Sequence, residues 1–107
     1  MAQDFERHIA RATGTSGATL YTAGGDDAVV SIRLTNIHSA AIVVDCFVTV
    51  SSADHYLIKG VSIPAASSLE LIDGGSRFVL ESGDALKVDT DTASSLDTWV
   101  SVISDIS

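Results

Sequence analysis

Two clusters of acidic residues and glycines lie within residues 69–88, LELIDGGSRFVLESGDALKV. They are Asp73-Gly74-Gly75 and Ser82-Gly83-Asp84, and loops that bind cations or phosphate are built from carboxylates or backbone N–H groups near glycines. A phosphate loop requires GxxxxGK[ST], or GxGxxG between a strand and a helix, and GGSR at 74–77 fits neither pattern. We therefore predict two turns: a hairpin with Gly74 or Gly75 at positive φ, and a second turn before ALKV.

The segment DTDTAS, which begins at Asp89, has the composition of the start of a calcium-binding loop. An EF-hand loop needs glycine at its sixth position and glutamate at its twelfth, where this chain has Ser94 and Val100. Four other aspartates in turns could meet at one end of the molecule: Asp26, Asp27, Asp73 and Asp84. We predict that they make local hydrogen bonds in their turns. The sequence thus predicts no cofactor and no metal site, and leaves open only Ca²⁺ at a subunit contact.

The residue types that perform acid–base or nucleophilic chemistry do not fall into a catalytic spacing. The three histidines are His8, His38 and His55, and there is no HExxH pair. Asp54 and His55 could join a serine in a triad, but the strained elbow of a nucleophilic serine, GxSxG, is absent. Carboxylates for glycoside cleavage are identified by their separation in space, and a single tryptophan gives no aromatic platform for a sugar. We predict that the protein is not an enzyme and has no catalytic residue.

Cysteine chemistry is limited by the presence of one cysteine. Cys46 lies inside the apolar run at 42–50, so an intrachain disulfide and a CxxC motif are both excluded. A free cysteine in such a run behaves as a small apolar side chain, and we predict that Cys46 is buried.

The composition indicates one small, acidic and rather apolar domain. The chain has 107 residues, of which 46% are hydrophobic and 19% charged, and this is too apolar for a disordered chain. The net charge of −8 and the six basic residues do not provide the basic surface that DNA, RNA or an anionic membrane requires. The apolar excess predicts that another subunit covers part of the surface, so we expect a homo-oligomer.

Nothing at the N-terminus predicts secretion or membrane insertion. MAQDFERHIARAT contains no apolar stretch of the length found in signal peptides. The longest unbroken apolar run, residues 40–44, is far shorter than the ~20 residues that span a bilayer. We expect synthesis in the cytoplasm.

Alternation of apolar and polar residues predicts a chain made of β-strands. Residues 29–36 alternate Val30, Ile32 and Leu34 with polar side chains, and residues 42–50 place five apolar residues on one face. Further strands are predicted at TLYT, HYLIK, SLELI, RFVLE, ALKVD and DTWVSVIS, separated by turn residues. No segment offers the crossover helix of a parallel sheet. The sequence predicts an all-β fold with a single antiparallel β-sandwich or jelly-roll-like domain.

The first residues, 1–15, are predicted as a short arm, with the sandwich domain at 16–107. The spacing of Phe5, Ile9 and Ala12 fits a helix, but Phe5 and Ile9 also alternate with polar residues as in a strand. We favour an extended arm or an edge strand, in which Phe5 and Ile9 bind a partner as apolar anchors.

Three further aromatic or polar residues are assigned by their position in the predicted strands. His55 and Tyr56 are predicted at an exposed edge, where they would contribute to partner binding. Trp99 lies in the most apolar of the predicted strands and is predicted in the core.

Four segments of the chain resemble, in order, small virion structural proteins of tailed bacteriophages, especially those of marine and cyanobacterial hosts. That family carries an anN-x-SAA-x-VxVDV strand, an I-P-A-G-S-S-L loop, L-x-SGD-x-LKV and a terminal ADxxVSV. The counterparts here are residues 36–45, 63–69, 80–88 and 96–102. The chain departs from the pattern at Ala66, where the family has glycine, and at Cys46, where an aliphatic residue is more usual. Neither departure disturbs the strand pattern, but the first could change the turn at Pro64.

The resemblance implies a non-enzymatic building block of a phage particle. The first expectation is a capsid decoration (cement) protein, an oligomer that binds over contacts between major capsid subunits on the outer surface of the virion. An outer location is favoured because packaged DNA would repel an acidic chain. The alternatives are a neck, tail or fibre component, and a carbohydrate- or receptor-binding sandwich module. The last would gather exposed aromatic residues such as Tyr21, Tyr56 or Trp99 on one face.

Overall fold

Eight β-strands form the computed structural model, which describes the backbone of residues 4–104 and the side chains of residues 5–71 and 78–104. The strands are β1 (Asp4–Thr13), β2 (Ala18–Thr22), β3 (Asp27–Asn36), β4 (Ile42–Val50), β5 (Ala53–Ile63), β6 (Ser68–Leu80), β7 (Ala85–Thr90) and β8 (Leu96–Ser104). No helix occurs within the described backbone. The predicted all-β class is confirmed.

The strands form two antiparallel four-stranded sheets packed face to face. The front sheet has the order β1-β8-β3-β6, and the back sheet has the order β2-β7-β4-β5. Strands β1 and β8, β2 and β7, β3 and β6, and β4 and β5 pair antiparallel. The chain is therefore one long hairpin rolled across two sheets, which is the strand order of an eight-stranded jelly roll.

The core lies between the sheets, and strand alternation fills it. In β4, Ile42, Val44 and Cys46 are completely buried, and Val48 is nearly so. These are four of the five residues that the sequence placed on one face, Val50 being only partly buried, and the predicted burial of Cys46 is confirmed. Burial raises the pKa of the Cys46 thiol to about 12, because a thiolate is poorly stabilised away from water. The thiol therefore stays protonated at neutral pH and acts as an apolar group.

A β-bulge in β3 moves one residue out of the predicted core face. Ile32 and Leu34 are buried, but Val30 is only half-buried. Val29 pairs with Val102 and Ser31 with Ser101, so β3 has one extra residue here. An extra residue reverses the side-chain direction along a strand, and Val29 takes the inward place instead of Val30.

The hairpin predicted at Asp73-Gly74-Gly75 is wrong. β6 continues through this segment, with Asp73 opposite Ser31 and Phe78 opposite Val29. Residues 74–77 therefore form an irregular insertion within one strand. A hairpin would need the two halves of β6 to pair with each other, whereas both halves pair with β3. The φ angles of Gly74 and Gly75 and the side chains at 72–77 lie outside what the structure describes.

The second predicted turn, at Ser82-Gly83-Asp84, is present between β6 and β7. Gly83 has a φ of 92°, a conformation that costs glycine little. The N–H of Asp84 donates to the carbonyl of Glu81 at 2.9 Å, and the N–H of Glu81 donates to the Asp84 carboxylate at 2.9 Å. Asp84 thus makes the local hydrogen bond predicted for it.

The N-terminal segment is an edge strand of the front sheet rather than a free arm or a helical turn. β1 pairs with β8 from Asp4 opposite Ser104 to Ala10 opposite Thr98. Ala10 packs against the core, while Phe5 and Ile9 are exposed. This is the edge-strand alternative left open by the sequence.

The predicted burial of Trp99 is wrong: about half of this side chain, 49%, is exposed. Leu96, Val100 and Val102 of the same strand are completely or almost completely buried. Because side chains alternate along a strand, burial of Val100 directs Trp99 to the outer face. Both faces of β8 are apolar in the sequence, so composition alone did not identify the inner one.

Candidate functional site

The outer face of the front sheet, which we call the front face, carries the most exposed apolar side chains that the structure describes. One row crosses all four strands: Phe5 lies opposite Ile103, Ile103 opposite Ala28, and Ala28 opposite Val79. Phe5 is 80% exposed and Val79 is 57% exposed. The row is apolar on all four strands, with the exposed Phe5 and Val79 at its two ends and the buried Ala28 between them.

A second row on the front face combines apolar and charged side chains. Ile9 lies opposite Trp99, Trp99 opposite Arg33, and Arg33 opposite Glu70. Ile9 is 55% exposed, and Arg33 forms an ion pair with Glu70. The guanidinium of Arg7 lies over the Trp99 ring, 5.6 Å from its centroid, within the range of a cation–π interaction.

A cavity of about 500 Å³ opens on the front face beside Trp99. Its walls come from β3 and β8: Ser31, Arg33, Thr35, Asp97, Thr98, Trp99 and Ser101. Asp97 also accepts a hydrogen bond from the backbone N–H of Ala12 at 2.8 Å, which fixes the end of β1 to β8. The cavity therefore has one aromatic wall and otherwise polar walls.

The four residues predicted to bind partners occupy two separate surfaces. Phe5 and Ile9 lie on β1 at the edge of the front sheet, and His55 and Tyr56 lie on β5 at the edge of the back sheet. All four are exposed. The structure therefore does not combine them into one site.

The outer face of the back sheet carries a smaller aromatic cluster around Tyr56. Its ring packs against Phe47, with centroids 5.0 Å apart, and the Lys59 ammonium lies 4.5 Å from the Tyr56 centroid. Register shifts in the pairing with β4 interrupt β5 on both sides of Ile58, and Gly60 has a φ of 68°. An edge interrupted in this way is a poor template for another strand.

A polar network beneath β1 was not predicted from the sequence. Asp27 is 1% exposed and accepts a hydrogen bond from the Tyr21 hydroxyl, and the Tyr21 ring packs against His8 with centroids 4.4 Å apart. Glu6 contacts His8 at 3.1 Å and accepts from Ser104 at 3.1 Å. Asp27 was predicted to make a local hydrogen bond within a turn; instead it is buried at the start of β3 and bonds to a side chain of β2. The only sequence signal was its place at the start of an apolar strand.

The order of groups in this network favours a structural role. The Glu6 carboxylate accepts from the Ser104 hydroxyl and contacts His8 on its other oxygen. A nucleophile relay instead needs histidine next to the hydroxyl, as the proton acceptor. The bonds join β1 to β8 and, through Tyr21, β2 to β3. They stabilise the position of β1 on the sandwich.

Two carboxylates face each other on the outer face of the back sheet. Asp45 of β4 lies directly opposite Asp89 of β7, and Asp45 accepts a hydrogen bond from the Gly60 N–H at 2.7 Å. Desolvation and the nearby Asp45 carboxylate raise the pKa of Asp89. Within the described residues, no group of three or more histidine, cysteine, aspartate or glutamate side chains is placed to hold a metal ion. Asp73 lies outside the described side chains.

No protein-family model matches this chain, and a search of curated proteins finds no significant match. No helix among the described residues is long and apolar enough to cross a membrane.

Proposed function

We propose that this chain is a non-enzymatic structural protein of a bacteriophage particle, and that it decorates the capsid and stabilises contacts between major capsid subunits. The four segments that resemble phage virion proteins supply the biological context. The jelly roll is consistent with this role, because viral capsid domains are among the proteins built on it. Fold alone does not assign function, so the surface carries the argument.

The front face is the observation on which the proposal rests. Phe5, Val79 and Ile9 are the three most exposed large apolar side chains described, and all lie on this one face together with Trp99. Large exposed apolar patches on soluble domains mark interaction surfaces. Arg7 and Arg33 place two of the six basic residues on the same face of an acidic chain. Aromatic residues and arginine beside apolar groups are typical of protein–protein contacts.

The binding test compares two exposed valines on opposite faces. Purified Val79→Asp and Val43→Asp proteins are added to particles that lack this chain, and the bound fraction is measured after sedimentation. Val79 lies on the front face, whereas Val43 lies on the back sheet. We expect at least tenfold weaker particle binding for Val79→Asp than for wild type, and little change for Val43→Asp. Equal binding of both variants would contradict a role for the front face.

Copy number distinguishes the positions in the particle. Quantitative mass spectrometry of purified particles should give a copy number of the same order as that of the major capsid protein. A copy number of only a few per particle would instead assign the chain to the neck, tail or a fibre. Absence from purified particles would refute the virion proposal.

The cavity beside Trp99 is the one observation that favours the alternative of a carbohydrate-binding module. The aromatic residues are not gathered around it, since Tyr21 is buried and Tyr56 lies on the other sheet. A glycan array decides this alternative. Saturable binding that is lost in Trp99→Ala would support it over a capsid role.

A further inference from the structure

The four edge strands of this sandwich differ in how well they could accept another strand. β2 has five residues and a register shift, and β5 and β6 each have two shifts. β1 pairs with β8 without interruption from Asp4 to Ala10, and its first irregularity comes after Ala10. Folded proteins blunt exposed edges with bulges, prolines or short strands. Seven consecutive residues of β1, 4–10, contain no bulge and no proline.

The outer edge of β1 is unpaired within the described chain. β1 is the terminal strand of the front sheet, and Glu6 and His8 on its inner side contact each other. The edge therefore presents free backbone donors and acceptors over a straight stretch. A strand of another chain could add to it by main-chain hydrogen bonds.

The net charge of β1 is compatible with a second β1 as the added strand. The first half of DFERHIARAT contains the acidic residues Asp4 and Glu6, and the arginines are Arg7 and Arg11. Because side chains alternate along a strand, Asp4 and Glu6 lie on one face of the sheet and Arg7 and Arg11 on the other. The strand has no net charge in a chain whose net charge is −8. Self-association through β1 thus brings no net charge into the contact itself, although the two acidic copies still repel each other over a longer distance.

We propose that two copies of this chain pair antiparallel through their β1 strands around a two-fold axis at Arg7. This register places Phe5 opposite Ile9 of the second copy, twice, and Glu6 opposite His8, twice. Cross-strand apolar pairs such as Phe5–Ile9 stabilise such a ladder. The two Arg7 residues meet at the axis, but each guanidinium already lies over its own Trp99 ring, which draws the charges away from each other. The contact joins two front sheets into one sheet of eight strands.

The β1 dimer adds to the proposed function. It rests on that function only because a decoration protein is expected to act as an oligomer. Its test uses purified protein in solution, without particles. A monomer that still binds particles would refute the β1 dimer and leave the virion role intact. If the protein forms the β1 dimer in solution but is absent from particles, the virion role is refuted and the dimer stands.

Cysteine cross-linking measures the register directly. In Arg7→Cys the two new thiols face each other across the axis, where directly opposite Cα atoms are about 4.5–5.5 Å apart, within the range of a disulfide. In the control, Arg11→Cys, the thiols lie about 26 Å apart, eight residues along the ladder. Cys46 is buried and does not compete. Mild oxidation should give a covalent dimer for Arg7→Cys alone. A dimer with Arg11→Cys, or with neither variant, would overturn the register.

Analytical ultracentrifugation separates pairing through the edge from packing through the face. Phe5→Ala should raise the Kd of the dimer at least tenfold, because it removes both Phe5–Ile9 pairs. Val79→Ala removes an apolar side chain of the same face on the opposite edge strand, β6, and should leave the Kd within twofold. If both variants weaken the dimer equally, or if wild type is monomeric at all concentrations, the β1 dimer is refuted. Circular dichroism of each variant controls for folding.

Discussion

At the scale of single residues, two buried threonine hydroxyls differ in their hydrogen bonding. The Oγ1 atom of Thr98 is buried and has no hydrogen-bond partner among the described residues. Thr90 provides the opposite case, because its hydroxyl bonds to the Thr92 carbonyl and the Ser95 hydroxyl, both at 2.8 Å. An unsatisfied buried polar group costs free energy that a satisfied one does not.

Replacement of Thr98 by valine is expected to stabilise the protein. The change keeps the shape of the side chain and removes the unpaired hydroxyl, so the free energy of unfolding should rise by about 1 kcal/mol. For a domain of this size that is a rise in Tm of about 4–8 °C. The matched control, Thr90→Val, breaks satisfied bonds and should lower Tm. The two values come from thermal unfolding followed by circular dichroism. A lower Tm for Thr98→Val would mean that its hydroxyl has a partner in solution.

At this scale the sequence predicted side-chain chemistry well where the reason was local. Cys46 is buried as an apolar residue, and Asp84 bonds within its own turn. It failed for Asp27 and Trp99, whose surroundings depend on how the strands are arranged in the two sheets. Tyr21, which bonds to Asp27, lies on a strand of the other sheet. No spacing rule in the sequence reports such a contact.

At the scale of elements, nearly every strand followed from alternation, and the exceptions share one cause. The bulge at Val30 and the continuity of β6 through residues 74–77 both arise where β3 and β6 pair. Glycine and aspartate predict a turn from local conformational preference. Pairing on both sides of the cluster overrides that preference, and this information is non-local. Strand order, and hence the front face, was also beyond the sequence, because alternation does not say which strands are neighbours.

The pair formed by Asp45 of β4 and Asp89 of β7 gives a pH-dependent prediction. Directly opposite like charges destabilise a sheet, typically by about 0.2–1 kcal/mol. Desolvation and Asp45 raise the pKa of Asp89, so the folded protein holds this proton more tightly than the unfolded chain does. The penalty is therefore present above the raised pKa, and it disappears as the pH falls through that pKa.

Asp45→Asn should consequently stabilise the protein at pH 7, and the gain should fade as the pH is lowered. Asparagine keeps an oxygen that accepts from the Gly60 N–H. Asp91 is the control of opposite sign, because the hydrogen bond from the Val43 N–H lowers its pKa and its charge is therefore favourable at pH 7. Asp91→Asn should destabilise at pH 7. Urea unfolding of both variants at several pH values measures these changes. A gain for Asp45→Asn that is equal at all pH values would show that charge is not its cause.

At the scale of the whole molecule, the proposed dimer and the proposed particle contact share Phe5 and Ile9 but extend in different directions from them. The dimer uses the edge of β1, and the particle contact uses the front face, which extends to Val79 at the other edge. Pairing through β1 would place two front faces side by side on one continuous surface. Two weak contacts held by a single dimer act together, and their combined affinity exceeds that of either one. The edge contact would in this way strengthen binding to the capsid.

Because each copy is strongly acidic, we expect the β1 dimer to become tighter, not weaker, as the salt concentration rises. Each copy carries a charge of −8, and the copies would lie about one molecular width apart, for which the middle dimension is 26 Å. Repulsion at that distance is on the order of several kcal/mol when the Debye length is about 30 Å, and it is almost fully screened when the Debye length is about 8 Å. The backbone hydrogen bonds and the Phe5–Ile9 pairs of the contact carry no net charge and weaken little with salt. We therefore expect at least tenfold tighter dimerisation at ~0.15 M than at ~0.01 M ionic strength, measured by sedimentation equilibrium. Dimerisation that weakens over this range would show that opposite charges hold the copies together, and would contradict a contact made chiefly of backbone hydrogen bonds and the Phe5–Ile9 pairs.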